Sequence, residues 1–127
     1  MLFHNSDYIV LSYLDVNAAM NWWKLIFECK PRDWPIDCPD PLENDVALDL
    51  TGGVYPAIIL RSRLEAGQAQ TVTEGERPII FTGKIEKAHK FLEKEDAMPG
   101  SIQQEGGTKF FNIQDTEGHT IEICLEP

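Results

Sequence analysis

Two stretches of this chain open in the same way, and that repeat limits the architectures available to it. "YIVLSYL" (Tyr8 to Leu14) is an apolar, β-rich run that leads straight into "DVNAAMNWWKLIFECKP". Much later, "RPIIFTG" leads into "KIEKAHKFLEKEDAMPG". Asp15 opens the first helical segment and Lys84 the second, 84 − 15 = 69 residues on. In the first segment Ala19, Trp22, Trp23 and Ile26 recur at spacings of three and four, which makes one apolar helical face. Asp15 or Asn17 is placed to cap that helix by accepting backbone N–H bonds, and the helix should stop before Pro31. In the second segment Ile85, Ala88, Phe91 and Leu92 mark the apolar face, with Pro99-Gly100 as the terminator.

Strands follow each helix. Residues 30–44 contain Pro31, Pro35, Pro39 and Pro41, which predicts a loop with at most a short extended piece. "DVALDL" and "YPAIILRS" flank Thr51-Gly52-Gly53 and read as a hairpin. "RLEAGQAQTVTEGE" is a polar connection. "SIQQEG", "TKFFNIQ" and "HTIEICLE" predict three strands, turned at Gly106-Gly107 and at Asp115 to Gly118. The order is βαβββ, a connection, then βαβββ. The expectation is an α+β fold of two βαβββ modules, about residues 7–63 and 77–126, in a single domain spanning 1–127. Each helix covers the apolar face of its own sheet, and two such sheets side by side would form a cup-shaped mixed sheet.

At 127 residues the chain suits one domain, which buries about two thirds of its unfolded surface. With 43% hydrophobic and 25% charged residues it has the composition of a soluble globular protein. No apolar run is long enough to cross a bilayer, so no membrane partner is expected. The opening "MLFHNSDYIV" lacks the basic and apolar regions of a secretion signal, and the expected compartment is cytoplasmic. The net charge of −10 would repel a phosphate backbone, which excludes nucleic acid as a partner.

Several chemistries lack their motifs. Cys29, Cys38 and Cys124 are odd in number and form no CxxC, so neither a zinc knuckle nor a thioredoxin-like site is present. They read as small buried or half-buried thiols in a reducing compartment. "FTGK" lacks the rest of a P-loop, and neither GxGxxG nor GxSxG occurs. Cys38 has no histidine near it in sequence, so nucleophilic catalysis finds no support.

The chain ends in "FFNIQDTEGHTIEICLEP". Ile121, Ile123 and Leu125 alternate with Thr120, Glu122 and Cys124, the period of a strand with one apolar face. Glu122 lies on the other face, either as a solvated carboxylate or pointing into a functional cavity.

Here the sequence resembles the vicinal oxygen chelate superfamily, which includes glyoxalase I, bleomycin-resistance proteins, fosfomycin-resistance enzymes and extradiol dioxygenases. The resemblance covers nearly the whole chain. It is carried by "YIVLSYLDVNAAMNWWKLIFECKP", similar to the family's first strand and capped helix, and by "FFNIQDTEGHTIEICLE", similar to its Phe-x-Asp-Pro-Asp-Gly-Asn-x-Ile-Glu-Leu ending. In metal-dependent members the Glu of that ending binds a divalent metal inside the cup, and Glu122 matches it by position. The family's first His, seven residues before the Asp that opens the first helix, is replaced here by Tyr8. At the second His position the aligned residue is Arg77, and the family's glutamate on the fourth strand has no counterpart in "YPAIILRS".

That donor set does not suit a divalent cation. Such a metal wants three or more His or carboxylate ligands. Arg77 is a permanent cation that repels it, and an ordinary tyrosine such as Tyr8 ionises only near pH 10. The other histidines offer no rescue. Using His4 would shift the register by four residues, His119 falls on the opposite face from Glu122, and His89 belongs on an exposed helical position. The expectation is therefore no metal and no cofactor.

What remains is a polar and aromatic pocket. Arg77 and Glu122 either pair across the cup or bind a polar ligand. Tyr8, Phe81 and Phe110 have the parity to line the cup, Trp22 and Trp23 pack beneath the sheet, and Trp34 in the proline-rich loop is placed to stack on a planar ligand. The resemblance then implies a metal-independent small-molecule binding protein of the bleomycin-resistance type, taking a small organic molecule and forming a homodimer. Two alternatives stay open: a metal-dependent lyase or oxygenase of the glyoxalase or dioxygenase type, and a non-catalytic regulatory or interaction module. Whether the chain is an enzyme is left undecided.

Overall fold

A computed structural model describes residues 2–36, 38, 40–41, 43–50, 56–62 and 78–127. The Gly52-Gly53 turn, the 63–76 connection and Arg77 lie outside the described residues. The chain has two compact units. The first gathers the described residues of Asp7–Glu76, the second those of Met1–Ser6 and Arg77–Pro127.

In the first unit β1 (Ile9–Tyr13) leads into α1 (Val16–Phe27), followed by β2 (Lys30–Pro31), β3 (Val46–Asp49) and β4 (Ile58–Ser62). The strands form a mixed sheet in the order β1-β4-β3-β2, with β1 parallel to β4 and the other pairs antiparallel. A parallel pair needs a crossover, and α1 supplies it. Asp15 is the N-cap, its carboxylate accepting from the Ala18 amide at 3.0 Å. Asp15→Ala is expected to destabilise the chain by about 1 kcal/mol, read from the midpoint of urea unfolding. The helix stops at Glu28, whose left-handed backbone (φ 56°) turns the chain before Pro31 is reached. Ala19, Trp23, Ile26 and Phe27 are its buried residues, while Trp22 is only half-buried and lies edge-on to Trp23 and Phe27. Phe27, absent from the sequence-derived face, completes it.

The second unit repeats the plan: β5 (Ile79–Thr82), α2 (Ile85–Lys94), β6 (Gln103–Glu105), β7 (Thr108–Gln114) and β8 (Thr120–Leu125). Its sheet runs β5-β8-β7-β6, with β5 parallel to β8. Both helices start where expected, α1 capped by Asp15 and α2 after Lys84, whose side chain makes no cap bond. The repeat of βαβββ modules is thus present as read.

Two local expectations need correction. Helix α2 ends at Lys94, five residues before Pro99. Asp96 takes a left-handed conformation (φ 58°) and the Ala97 amide bonds back to the Leu92 carbonyl, so an aspartate does the work expected of Pro-Gly. His89 is not an exposed residue. Its Nε2 donates to the Gly100 carbonyl at 2.8 Å, and its ring meets the Phe111 ring edge-on at 4.9 Å. The imidazole pins the segment after α2 back onto the helix.

The N-terminal segment joins the second unit, although β1 belongs to the first. His4 and Phe81 exchange backbone hydrogen bonds of 3.0 and 2.7 Å as an antiparallel bridge along the edge of β5. His4 is therefore no part of β1. No described helix is long and apolar enough to cross a membrane.

Candidate functional site

The alternation at the C-terminus sorts the second sheet into two faces. Ile121 and Ile123 of β8, Phe111 and Ile113 of β7, and Ile80 of β5 are buried on the face that α2 covers. The opposite parity carries Glu122 and Cys124, and the strand register decides their neighbours. Ile79, Glu122 and Asn112 form one cross-strand row. Phe81, Cys124, Phe110 and Gln103 form the next, with His4 added at the β5 edge. Three sequence-derived candidates, Phe81, Phe110 and Glu122, are thus brought onto one face, each half-buried.

The chemistry of that face is a carboxylate hydrogen-bonded to a thiol, and it is the thiol's row that carries the aromatic rings. The Cys124 thiol donates to Glu122 Oε2 at 2.9 Å. Burial, then the hydrogen bond to Glu122 and its negative charge, push that thiol up to about 12. Cys124 is therefore a protonated donor at neutral pH and not a nucleophile. Asn112, directly opposite Glu122, holds its Oδ1 enclosed and without a hydrogen bond. The His4 ring stacks on Phe81 at 5.7 Å, with Nδ1 3.0 Å from Glu126 Oε1.

The other candidates lie elsewhere. Tyr8 and Trp34 belong to the first unit, Tyr8 exposed just before β1 and Trp34 half-buried in the loop after β2. Arg77, and with it the expected pairing with Glu122, lies outside the described residues. His119 is occupied beside β8, its Nδ1 3.0 Å from Asp115 Oδ2. Sequence reasoning passed over Cys124 and Asn112, and weighed His4 only as a metal ligand on the first strand. Cys124 was legible, two residues from Glu122 and so on its face. Asn112 and His4 carry no such signal, since their positions depend on pairing with distant strands.

The first sheet has its own uncovered-by-helix face, opposite Tyr13 and Trp23. It holds a buried ion pair: Arg61 grips Asp45 with two bonds, Nε to Oδ1 at 2.9 Å and a terminal nitrogen to Oδ2 at 2.6 Å. A surface depression of about 420 Å³ lies in this unit beside the start of α1, lined by Asp15, Asn17, Glu43, Asn44, Asp45 and others, with none of the sequence-derived candidates among them.

The described residues around Glu122 do not make the donor set of a catalytic divalent metal. Its near neighbours are a protonated thiol, an amide and phenyl rings. Among the described residues no three His, Cys, Asp or Glu side chains group as a metal would require.

No protein-family model matches the chain, and no curated protein sequence matches it. Solved structures do. The chain is similar to TioX from Micromonospora sp. ML1 (18% identity, TM-score 0.65, covering 97% of each chain). It is similar to a lactoylglutathione lyase from Agrobacterium tumefaciens (12% identity, TM-score 0.68, 93% of this chain and 90% of that one). It is also similar to the fosfomycin resistance protein FosX from Listeria monocytogenes (10% identity, TM-score 0.64, 95% and 92%). These are members of the vicinal oxygen chelate superfamily, and the chain has that superfamily's fold.

Proposed function

We propose that the chain is a metal-independent small-molecule binding protein of the bleomycin-resistance type, holding an organic ligand on the sheet face that carries Glu122. The observation that supports this reading most is the pairing of Glu122 with a protonated Cys124 between Phe81 and Phe110. A carboxylate in that setting orients a polar or cationic group while the rings take a planar body. The acidic surface, net −10, favours the approach of cations. Among the described residues neither a thiolate nucleophile nor a group of metal donors stands beside Glu122. The working setting is a cytoplasmic homodimer, with neither nucleic acid nor membrane as a partner. Arg77, Tyr8 and Trp34 remain ligand-binding candidates of this reading.

Titration with a panel of planar and cationic compounds is expected to give saturable binding with the ligand recovered unchanged. Glu122→Gln should weaken that binding at least about tenfold, the loss of a charge-assisted hydrogen bond. Stoichiometric Ni²⁺, Zn²⁺, Mn²⁺ or Fe²⁺ in the purified protein, with conversion of a substrate, would instead establish the metal enzyme. Silence across the panel, with Glu122→Gln changing stability alone, would leave an interaction module.

A further inference from the structure

Directly across from Glu122, on β7, Asn112 holds an amide oxygen that the fold encloses and that takes no hydrogen bond among the described residues. Buried acceptors in native proteins are nearly always bonded, so an exception calls for a cause. The backbone shows how closely the two side chains stand. The Asn112 carbonyl accepts from the Gly100 amide at 2.9 Å, and the Glu122 amide donates to the Pro78 carbonyl at 3.0 Å, so each main chain bonds away from the other strand. Asn112 and Glu122 are therefore a non-hydrogen-bonded antiparallel pair, the kind in which facing side chains approach most closely. Glu122 Oε2 accepts from the Cys124 thiol at 2.9 Å, and a carboxylate has about four acceptor sites in all.

Two acceptors on neighbouring strands, one anionic and one neutral, are complementary to a positively charged group with two N–H donors. The row two residues along, about 6.5 Å away, carries Phe81 and Phe110 on either side of Cys124. A primary ammonium is a compact, strongly hydrated charge, whereas a planar delocalised cation is weakly hydrated and lies against aromatic faces. Turning the Asn112 amide about its soft terminal torsion would bring the enclosed oxygen to such a group. We propose that the ligand of the Glu122 face is an aryl amidinium, its N–H edge spanning Glu122 and Asn112 and its ring lying on the row of Phe81 and Phe110. The inference rests on the reading of that face as a binding site. It adds the chemical class of the ligand, and Asn112 as a residue that selects it.

The test is calorimetric and NMR titration of the full chain with benzamidinium chloride. The comparison compounds are benzamide, its neutral isostere, and methylguanidinium chloride, which keeps the N–H edge and lacks the ring. Wild type is expected to bind benzamidinium saturably, with shifts gathered on β7 and β8 around Asn112 and Glu122. Either comparison compound should bind at least about tenfold more weakly. Asn112→Leu, close in volume and apolar, should weaken benzamidinium binding at least about tenfold while its ligand-free Tm stays level or rises. Asn112→Ala, measured alongside, should show the same loss of binding. Benzamide bound as tightly as benzamidinium, affinity unchanged in the Asn112 variants, or shifts gathered elsewhere would each overturn the proposal. If wild type ignores benzamidinium but binds another compound of the panel in a Glu122-dependent way, the ligand class falls and the binding face stands. No binding of any compound removes both.

Discussion

Trp23→Ala is expected to destabilise the chain by about 3–5 kcal/mol, a large part of the roughly 5–15 kcal/mol that holds a domain together. Trp23 is wholly buried where α1 meets its sheet. Its indole Nε1 donates to the Tyr13 hydroxyl at 3.0 Å, and its ring lies 5.0 Å from that of Phe27. Truncation removes the ring, opens a cavity that fixed strands cannot close, and takes the indole donor away from the buried Tyr13 hydroxyl. The conservative Trp23→Phe keeps most of the ring volume and loses mainly the hydrogen bond, for about 1–2 kcal/mol. Urea unfolding of both variants separates packing from hydrogen bonding. Equal losses for the two would mean that the Tyr13 bond, and not ring burial, dominates.

The second large effect is expected at Arg61. The Asp45 side chain is fully enclosed and the guanidinium that grips it is 6% exposed. Arg61→Ala leaves a buried carboxylate without its counter-ion, at about 3–5 kcal/mol. The pair as a whole is a different quantity, because desolvating both charges offsets much of their attraction. The double variant Arg61→Leu with Asp45→Leu is therefore expected to recover most of the loss. A double-mutant cycle measures this. If the double variant is as unstable as Arg61→Ala alone, the ion pair itself is stabilising and the desolvation argument fails here.

Where a residue's environment follows from its own neighbours in the chain, the sequence predicted it well. The Asp15 cap, the Ala19–Trp23–Ile26 stripe and the buried Ile121 and Ile123 each depend on a period of 3.6 or 2 over a few residues. The end of α2 went wrong for the opposite reason. Pro99-Gly100 is a strong stop signal, but the left-handed turn at Asp96 acts first, and an aspartate there carries only a weak signal. His89 was misread because its partner, the Gly100 carbonyl, lies beyond that turn.

The candidate site shows the same division. Alternation placed Glu122 on the face away from Ile121 and Ile123, with Cys124 two residues on. It did not place Asn112 opposite Glu122 or Phe110 opposite Cys124, and it paired no residue with Arg61. The sequence alone determined the two βαβββ repeats, their helix starts and the buried side of each strand, since local stereochemistry imposes those periods. Only the tertiary structure decided who meets whom: His4 with Phe81, Asp45 with Arg61, and Asn112 with Glu122. Those contacts depend on register between strands far apart in the chain, and a shift of one residue would put every side chain of a strand on the other face while leaving the local pattern unchanged.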